Sequence, residues 1–214
     1  MFLLTKELYF PPAEEAGESG LLAYGGDLSP ERLMLAYRSG IFPWFDDDEP
    51  ILWWSPARRM VVVPCEYKPP KSLRNILNRN IFSVTFNQDF DAVIQNCKNV
   101  IRKGQQGTWL TDDMVAAYTE LHRRGIAKSV EVWQDERLVG GLYGIDLGHV
   151  FCGESMFSLV SNASKVGFAT LVRFLCEHQY KLLDCQLHND HLAVLGAHEI
   201  PRREFLKILK LSNG

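Results

Sequence analysis

Three side chains in the C-terminal half of the sequence have the chemistry to handle an amine. Glu154 stands inside the apolar run Val150-Phe151-Cys152-Gly153-Glu154-Ser155-Met156-Phe157. An ionised carboxylate there is costly to bury unless a cation or hydrogen-bond donors meet it. Asp184 and Gln186 lie two apart in Leu182-Leu183-Asp184-Cys185-Gln186-Leu187, a spacing that on a regular strand sends both to one face. A carboxylate beside an amide can accept hydrogen bonds from an ammonium or amine. The plainer reading of Glu154 is a sheet-edge acid reaching water, and position alone does not choose between the two.

Other chemistry is poorly supplied. There is no Ser-His-Asp order and no cysteine in a reactive setting, so covalent catalysis has little support. The five cysteines (65, 97, 152, 176 and 185) are odd in number and lack CxxC spacing. Cys152 and Cys185 fall in apolar strand-like runs and read as buried thiols. Together these features predict a reducing, cytoplasmic setting. The six histidines form no HExxH and are loosely spaced, so no metal site is expected. What remains is the positioning of an amine against an already activated acyl group. An α-amine titrates near roughly 7.7–8.0, so little base strength is needed. Proximity alone can supply up to roughly 7–11 kcal/mol of barrier reduction.

The elements that must position these groups follow from pattern. Residues 1–28 read mostly as loop, after which Ser29-Pro30 caps a helix that Gly40 stops. Trp53 and Trp54 read as core filling, and Trp44, beside Pro43, as a rim aromatic. The acidic run Asp46-Asp47-Asp48-Glu49 reads as a solvated loop. A strand at Arg58–Val63 opens a larger unit, followed by a short basic helix over 71–79, a strand over 81–86 and a helix over 89–101. Thr111 caps a further helix that Gly125 ends, and strands at 129–133, 137–145 and 149–157 form a meander turned by Asp135-Glu136 and Asp146-Leu147-Gly148. A helix over 163–179, the strand 182–187, a short helix capped by Asn189 and a terminal helix from Pro201 complete the chain. The fold class is α/β (α+β): a small N-terminal domain, 1–58, and a C-terminal domain, 59–214. The latter carries a mixed, mostly antiparallel sheet in the acetyltransferase-like (GNAT-type) order. In that fold an acyl donor enters where two central strands diverge, here between the strand bearing Glu154 and the strand bearing Asp184 and Gln186.

Charge is unevenly placed. Residues 1–54 carry three bases against ten acids, whereas residues 68–103 carry seven bases against two acids. The second window could meet phosphates. No apolar run is long enough to span a membrane. Coenzyme A, the usual donor in this fold, would need a glycine-rich turn, and Ser164-Lys165-Val166-Gly167-Phe168-Ala169 is a weak one. A coenzyme-A-dependent N-acetyltransferase is therefore the alternative function, and a non-enzymatic RNA-binding adaptor a third.

Several long motifs carry a family resemblance. They are Gly20-Leu21-Leu22-Ala23-Tyr24-Gly25-Gly26-Asp27-Leu28-Ser29-Pro30, Gly40-Ile41-Phe42-Pro43-Trp44-Phe45, Ile51-Leu52-Trp53-Trp54-Ser55-Pro56, Phe151-Cys152-Gly153-Glu154-Ser155-Met156-Phe157-Ser158, Asn162-Ala163-Ser164-Lys165 and Leu195-Gly196-Ala197-His198-Glu199-Ile200-Pro201-Arg202. The chain resembles the bacterial leucyl/phenylalanyl-tRNA–protein transferases. The resemblance implies transfer of Leu or Phe, and less well Met, from aminoacyl-tRNA to the α-amine of proteins beginning with Arg or Lys, marking them for the N-degron route. It implies no cofactor and no metal, no membrane partner, and a monomer is expected. It implies that Tyr37, Trp44, Trp109 and Tyr118 hold the 3′-terminal adenosine. It implies a side-chain pocket of Leu142, Phe151, Met156, Phe168, Leu171, Leu183 and Leu187. Asp184 and Gln186 match the pair that guides the amine, with Glu154 an acid in the same site. The tRNA acceptor stem would lie along Lys71, Arg74 and Arg79. Asn75, Asn78 and Leu142 depart from the residues expected there, the first two being less basic and the last replacing Met.

Overall fold

The computed structural model describes residues 1–100 and 110–211. The first sheet has four strands, β1 (Phe2–Leu4), β2 (Leu21–Gly25), β3 (Phe42–Pro43) and β4 (Leu52–Trp54), in the order β1-β2-β4-β3. The stretch expected to be loop before residue 28 thus supplies two strands. Both are short, and the second is bounded by Gly20 and ends at Gly25, which hides them from periodicity. Helix α1 (Pro30–Arg38) starts as expected, with the Ser29 side chain accepting from the Arg32 backbone N–H and Pro30 in the first turn. Gly40, at φ +76°, ends the turn that follows it.

The second sheet begins with β5 (Arg58–Val62) and continues through β6 (Ser83–Phe86), β7 (Ala127–Gln134), β8 (Arg137–Asp146), β9 (Val150–Ser158), β10 (Leu182–Gln186) and β11 (His198–Pro201). Its spatial order is β11-β5-β10-β9-β8-β7-β6. Helices α2 (Lys71–Asn78), α3 (Phe90–Asn99), α4 (Asp112–Arg123), α5 (Ala163–Glu177), α6 (Asp190–Val194) and α7 (Arg202–Lys210) flank it. The expected meander β7-β8-β9 is antiparallel throughout, and β10 then pairs parallel with β9 after the α5 crossover. Asp135 and Glu136 both take positive φ, as a two-residue hairpin turn requires. Strand β11 is an addition to the expected order. Its four residues pair with β5 just before α7, where the reading placed only a proline-initiated helix.

One apolar cluster runs through both sheets. Leu22, Tyr37, Phe42 and Trp53 from the first unit pack with Val61, Tyr118, Phe157 and Phe205 from the second. Trp53 is fully buried, as core filling predicts, while Trp44 stays 39% exposed at the rim. The acidic run at 46–49 is exposed.

Cys65, in a short 3-10 turn (Pro64–Glu66), and Cys176 on α5 are joined as a disulfide across 111 residues. Spacing offered no sign of this pairing. Cys97, Cys152 and Cys185 take no part in a disulfide. No helix among the described residues is long and apolar enough to cross a membrane.

Two local irregularities shape what lies between β9 and β10. Their parallel pairing runs Leu182↔Val150, Leu183↔Phe151 and Asp184↔Cys152, and stops there. On the β8 side, Gly144 pairs with Gly153 and Tyr143 with Ser155, so Glu154 is an extra residue in β9. On the β5 side, Val61 pairs with Asp184 and Met60 with Gln186, so Cys185 is an extra residue in β10. Each is a β-bulge, which bends its strand and re-aims a side chain. Both strands bulge at the level where they part. Gly144 is required opposite the first bulge, because a Cβ there would collide with the carbonyl oxygen of Cys152 and the ring of Phe151.

Candidate active site

The strands part into a cleft of about 460 Å³. One wall is apolar, formed by Leu142, Met156, Phe168, Leu171, Leu183 and Leu187. Six of the seven residues expected to form a side-chain pocket therefore meet here. Phe151 does not line it. That ring is 3% exposed and packs behind the wall, over the space left by Gly144. Trp44 and Phe42 from the first unit, and His188 and His191 from the segment after β10, also line it. Neither histidine was singled out as a site residue by the sequence reading. Burial lowers the pKa of His191, and Lys165 adds to the effect, so its ring stays neutral near pH 7.

Glu154 and Gln186 meet across the strand gap. The Gln186 side-chain N–H₂ donates to Glu154 Oε1 at 2.7 Å, and the Tyr118 hydroxyl donates to Oε2 at 2.9 Å. The Tyr37 hydroxyl lies 2.5 Å from that of Tyr118, extending the chain of hydroxyls inward. Burial pushes the Glu154 carboxyl from 4.5 up to about 7, and the charge of Asp184 adds to this; hydrogen bonds from Tyr37, Tyr118 and Gln186 hold it back in part. Both tyrosines are held well above their ordinary range, first by burial and then by the Glu154 charge. They remain hydroxyl donors at any working pH. Glu154 is the acid of the cleft lining, and it titrates near neutrality. Those are the properties of a proton acceptor for an amine.

Tyr37 and Tyr118 are 1% and 0% exposed. Neither presents a ring face on which a base could stack. Their geometry assigns them to Glu154, whereas Trp44 keeps an open face in the cleft. Trp109 lies outside the described residues.

Asp184 and Gln186 do not share a face, because the bulge between them breaks the alternation their spacing implies. Gln186 reaches the cleft. Asp184 is 0% exposed and turns the other way, where both its oxygens accept from Arg59, at 2.8 Å from Nε and 2.7 Å from Nη2. Burial works against the Arg59 charge, but Asp184 beside it more than offsets this and holds the guanidinium above its ordinary range. The buried Cys152 thiol also hydrogen-bonds Asp184 and is pushed far up, by burial first and by that carboxylate second. It is no nucleophile. Arg59 escaped the sequence reading. The available signal was a charged residue entering the run Met60-Val61-Val62-Val63, with no acid nearby in sequence to answer it.

Lys71, Arg74 and Arg79 are exposed on α2 and just beyond it, away from the cleft. A second groove of about 560 Å³, between α2, β6 and α5, contains neither Glu154 nor Gln186. At the start of α5, the backbone N–H of Ser164 is already bound by the Ser158 hydroxyl at 3.2 Å. That leaves one donor fewer for a pyrophosphate in the turn considered for coenzyme A.

Residues 61–210 match the family described as leucyl/phenylalanyl-tRNA protein transferase, and residues 26–57 match the N-terminal domain of that family. A leucyl/phenylalanyl-tRNA–protein transferase of Flavobacterium johnsoniae is 63% identical over 210 residues, covering 98% of this chain and 99% of the relative. One from Flavobacterium psychrophilum is 58% identical, covering 98% of this chain and all of the relative at 100%. One from Thermodesulfovibrio yellowstonii is 52% identical, covering 98% and 85%. Among solved structures, L-PGS from Bacillus licheniformis has 14% sequence identity and a TM-score of 0.43, covering 78% of this chain and 53% of that one.

Proposed function

The chain belongs to the leucyl/phenylalanyl-tRNA–protein transferase family and carries its activity, transfer of an aminoacyl group from tRNA to protein; from that premise we propose how its cleft performs the reaction and which acceptor it takes. The donor is Leu or Phe, and less readily Met, esterified to the 3′-terminal ribose of tRNA. The acceptor is the α-amine of a protein beginning with Arg or Lys, and the product is marked for N-degron-dependent degradation.

The observation that carries this reading is the Glu154–Gln186 bridge, which lines the same cleft as the apolar wall, where two strands part. The side chain of the donor amino acid enters the apolar wall. Such a pocket accepts Leu, Phe and Met, and a one-methylene difference there is worth only about 1–3 kcal/mol. The terminal adenine stacks on Trp44, a contact worth roughly 1–3 kcal/mol. Lys71, Arg74 and Arg79 receive acceptor-stem phosphates.

The amine arrives at the bridge. Gln186 turns its N–H₂ toward Glu154, so its carbonyl oxygen is left to accept from the incoming ammonium. Glu154 takes one proton, freeing the nitrogen lone pair. That pair forms the new C–N bond at the ester carbonyl. The C–O bond to the ribose then breaks, the second nitrogen proton passes to the departing ribose oxygen, and the proton on Glu154 leaves to solvent. Positioning accounts for most of the acceleration, up to roughly 7–11 kcal/mol, with the base adding about 10²–10⁴-fold. Tyr118 and Tyr37 hold the Glu154 carboxylate in place. We assign the protein to the cytoplasm, where charged tRNA is made and used, and to a monomeric state.

The test supplies labelled Leu or Phe on tRNA to peptides beginning with Arg, Lys or Ala. Product is expected on the Arg and Lys peptides. Equal product on the Ala peptide refutes the acceptor assignment, and absence of product on all three refutes the reading as a whole.

A further inference from the structure

The site contains a buried charge that touches neither reactant. Arg59 and Asp184 are 2% and 0% exposed, and neither lines the cleft. Burying an ion pair rarely stabilises a fold more than apolar residues of similar volume. Its neighbours suggest a different use. Arg59 Nη1 donates to the Gly40 carbonyl at 3.3 Å, and its guanidinium lies 4.7 Å from the Phe42 ring and 4.6 Å from the Phe205 ring. Asp184 Oδ1, already bound by Arg59, also accepts the backbone N–H of Gln186 at 2.9 Å.

Gln186 has φ +64°, in the left-handed region that disfavours a residue with a Cβ. The pairing of β10 with β5 slips at this same point. The Asp184 carboxylate stabilises that turned backbone by capturing its N–H, and this is the backbone that delivers the Gln186 amide to Glu154 Oε1. Asp184 keeps the required orientation because a two-pronged guanidinium holds both of its oxygens.

We propose that Arg59 is a positioning residue for transfer. Through Asp184 it fixes the left-handed turn at Gln186, and hence the amide that receives the amine. Through Gly40 and Phe42 it ties that turn to the segment carrying Trp44, so both ends of the reaction are referred to one guanidinium. The proposal rests on the reading that the Glu154–Gln186 bridge receives the amine.

Four variants of the full chain test it, each assayed for kcat on an Arg-starting peptide, KM for leucyl-tRNA, and melting temperature. Arg59→Met with Asp184→Leu replaces the pair by apolar groups, and Arg59→Met with Asp184→Asn restores a neutral acceptor for the Gln186 N–H. For the Leu combination, kcat is expected to fall about tenfold to a hundredfold, with KM within about threefold of wild type, as loss of a charge-assisted hydrogen bond predicts. The Asn combination is expected to recover most of that loss. Arg59→Lys keeps the charge but not the fork, and guards against misfolding of the other two. Its kcat is expected to fall about tenfold at an almost unchanged melting temperature. Wild-type kcat in Arg59→Lys or in the Leu combination overturns the proposal, as does an Asn combination no better than the Leu one. Gln186→Ala, the fourth, separates the levels. If it transfers at wild-type rate, the amine reading itself falls and this proposal with it. If it is impaired while the Arg59 variants are not, only the positioning role falls.

Discussion

Replacing Glu154 by Gln isolates the consequence of burying its charge. Burial raises the carboxyl from 4.5 to about 7. Between those values the folded protein holds a proton that the unfolded chain has already released. Stability from this group is therefore fully present below pH 4.5 and is lost as pH rises through about 7. At about 1.4 kcal/mol per pH unit, the loss reaches at most about 3 kcal/mol by pH 8, less whatever water at the cleft mouth recovers. Gln does not titrate and escapes it. For a chain of this size, each kcal/mol moves the melting temperature by about 2–4 °C, so the variant should gain about 5–10 °C over wild type on going from pH 5 to pH 8. Transfer should move oppositely. The wild-type rate rises as Glu154 ionises near 7, whereas the variant is slower by about 10²–10⁴-fold and keeps only the titration of the acceptor amine, near roughly 8. Thermal melts of both proteins at the two pH values, and transfer rates across pH 6–8, are the measurements. An identical melting gap at pH 5 and pH 8, or a variant whose pH profile matches wild type, refutes the assignment of the proton to Glu154.

Three further outcomes are expected. Trp44→Ala raises KM for aminoacyl-tRNA about fivefold to a hundredfold with little change in kcat, since a stacking partner is lost but no reacting group; an unchanged KM places the adenine elsewhere. Alanine at Lys71, Arg74 and Arg79 together reduces the salt slope of tRNA binding by about 2–3 and weakens leucyl- and phenylalanyl-tRNA alike; binding titrations from 50 to 200 mM salt decide this. Gly144→Ala drives a Cβ into Cys152 and Phe151. It should destabilise by more than about 3 kcal/mol, and a denaturant melt close to wild type would show that the bulge yields to a Cβ.

The main sheet was legible because its signals are local. The meander has hairpin turns at Asp135-Glu136 and Asp146-Gly148, and the helices carry caps at Ser29, Thr111 and Asn189. The strand gap followed from element order, and the apolar wall of the cleft contains six of its seven expected residues. What escaped was set by non-local geometry. Alternation placed Asp184 beside Gln186, but a bulge turned one inward to Arg59, 125 residues away. Tyr37 and Tyr118, 81 residues apart, are expected from the resemblance to hold the terminal adenosine, whereas their buried hydroxyls meet beside Glu154. The Cys65–Cys176 link joins elements 111 residues apart, with no spacing rule to announce it.

The two facing bulges carry a consequence for how such a chain can change. Each strand carries one residue more than the partner it pairs with, so losing that residue would heal the ladder and leave the rest of the strand in place. Without Glu154, Gly153 and Ser155 would lie opposite Gly144 and Tyr143 as neighbours, and Met156 would still face Leu142; the acid alone would be gone. Without Cys185, Gln186 would still lie opposite Met60, but the strand would run straight where its backbone now turns to φ +64°. The site is therefore encoded by the count of residues in β9 and β10 as well as by their identities, because a regular sheet has no place for either turn.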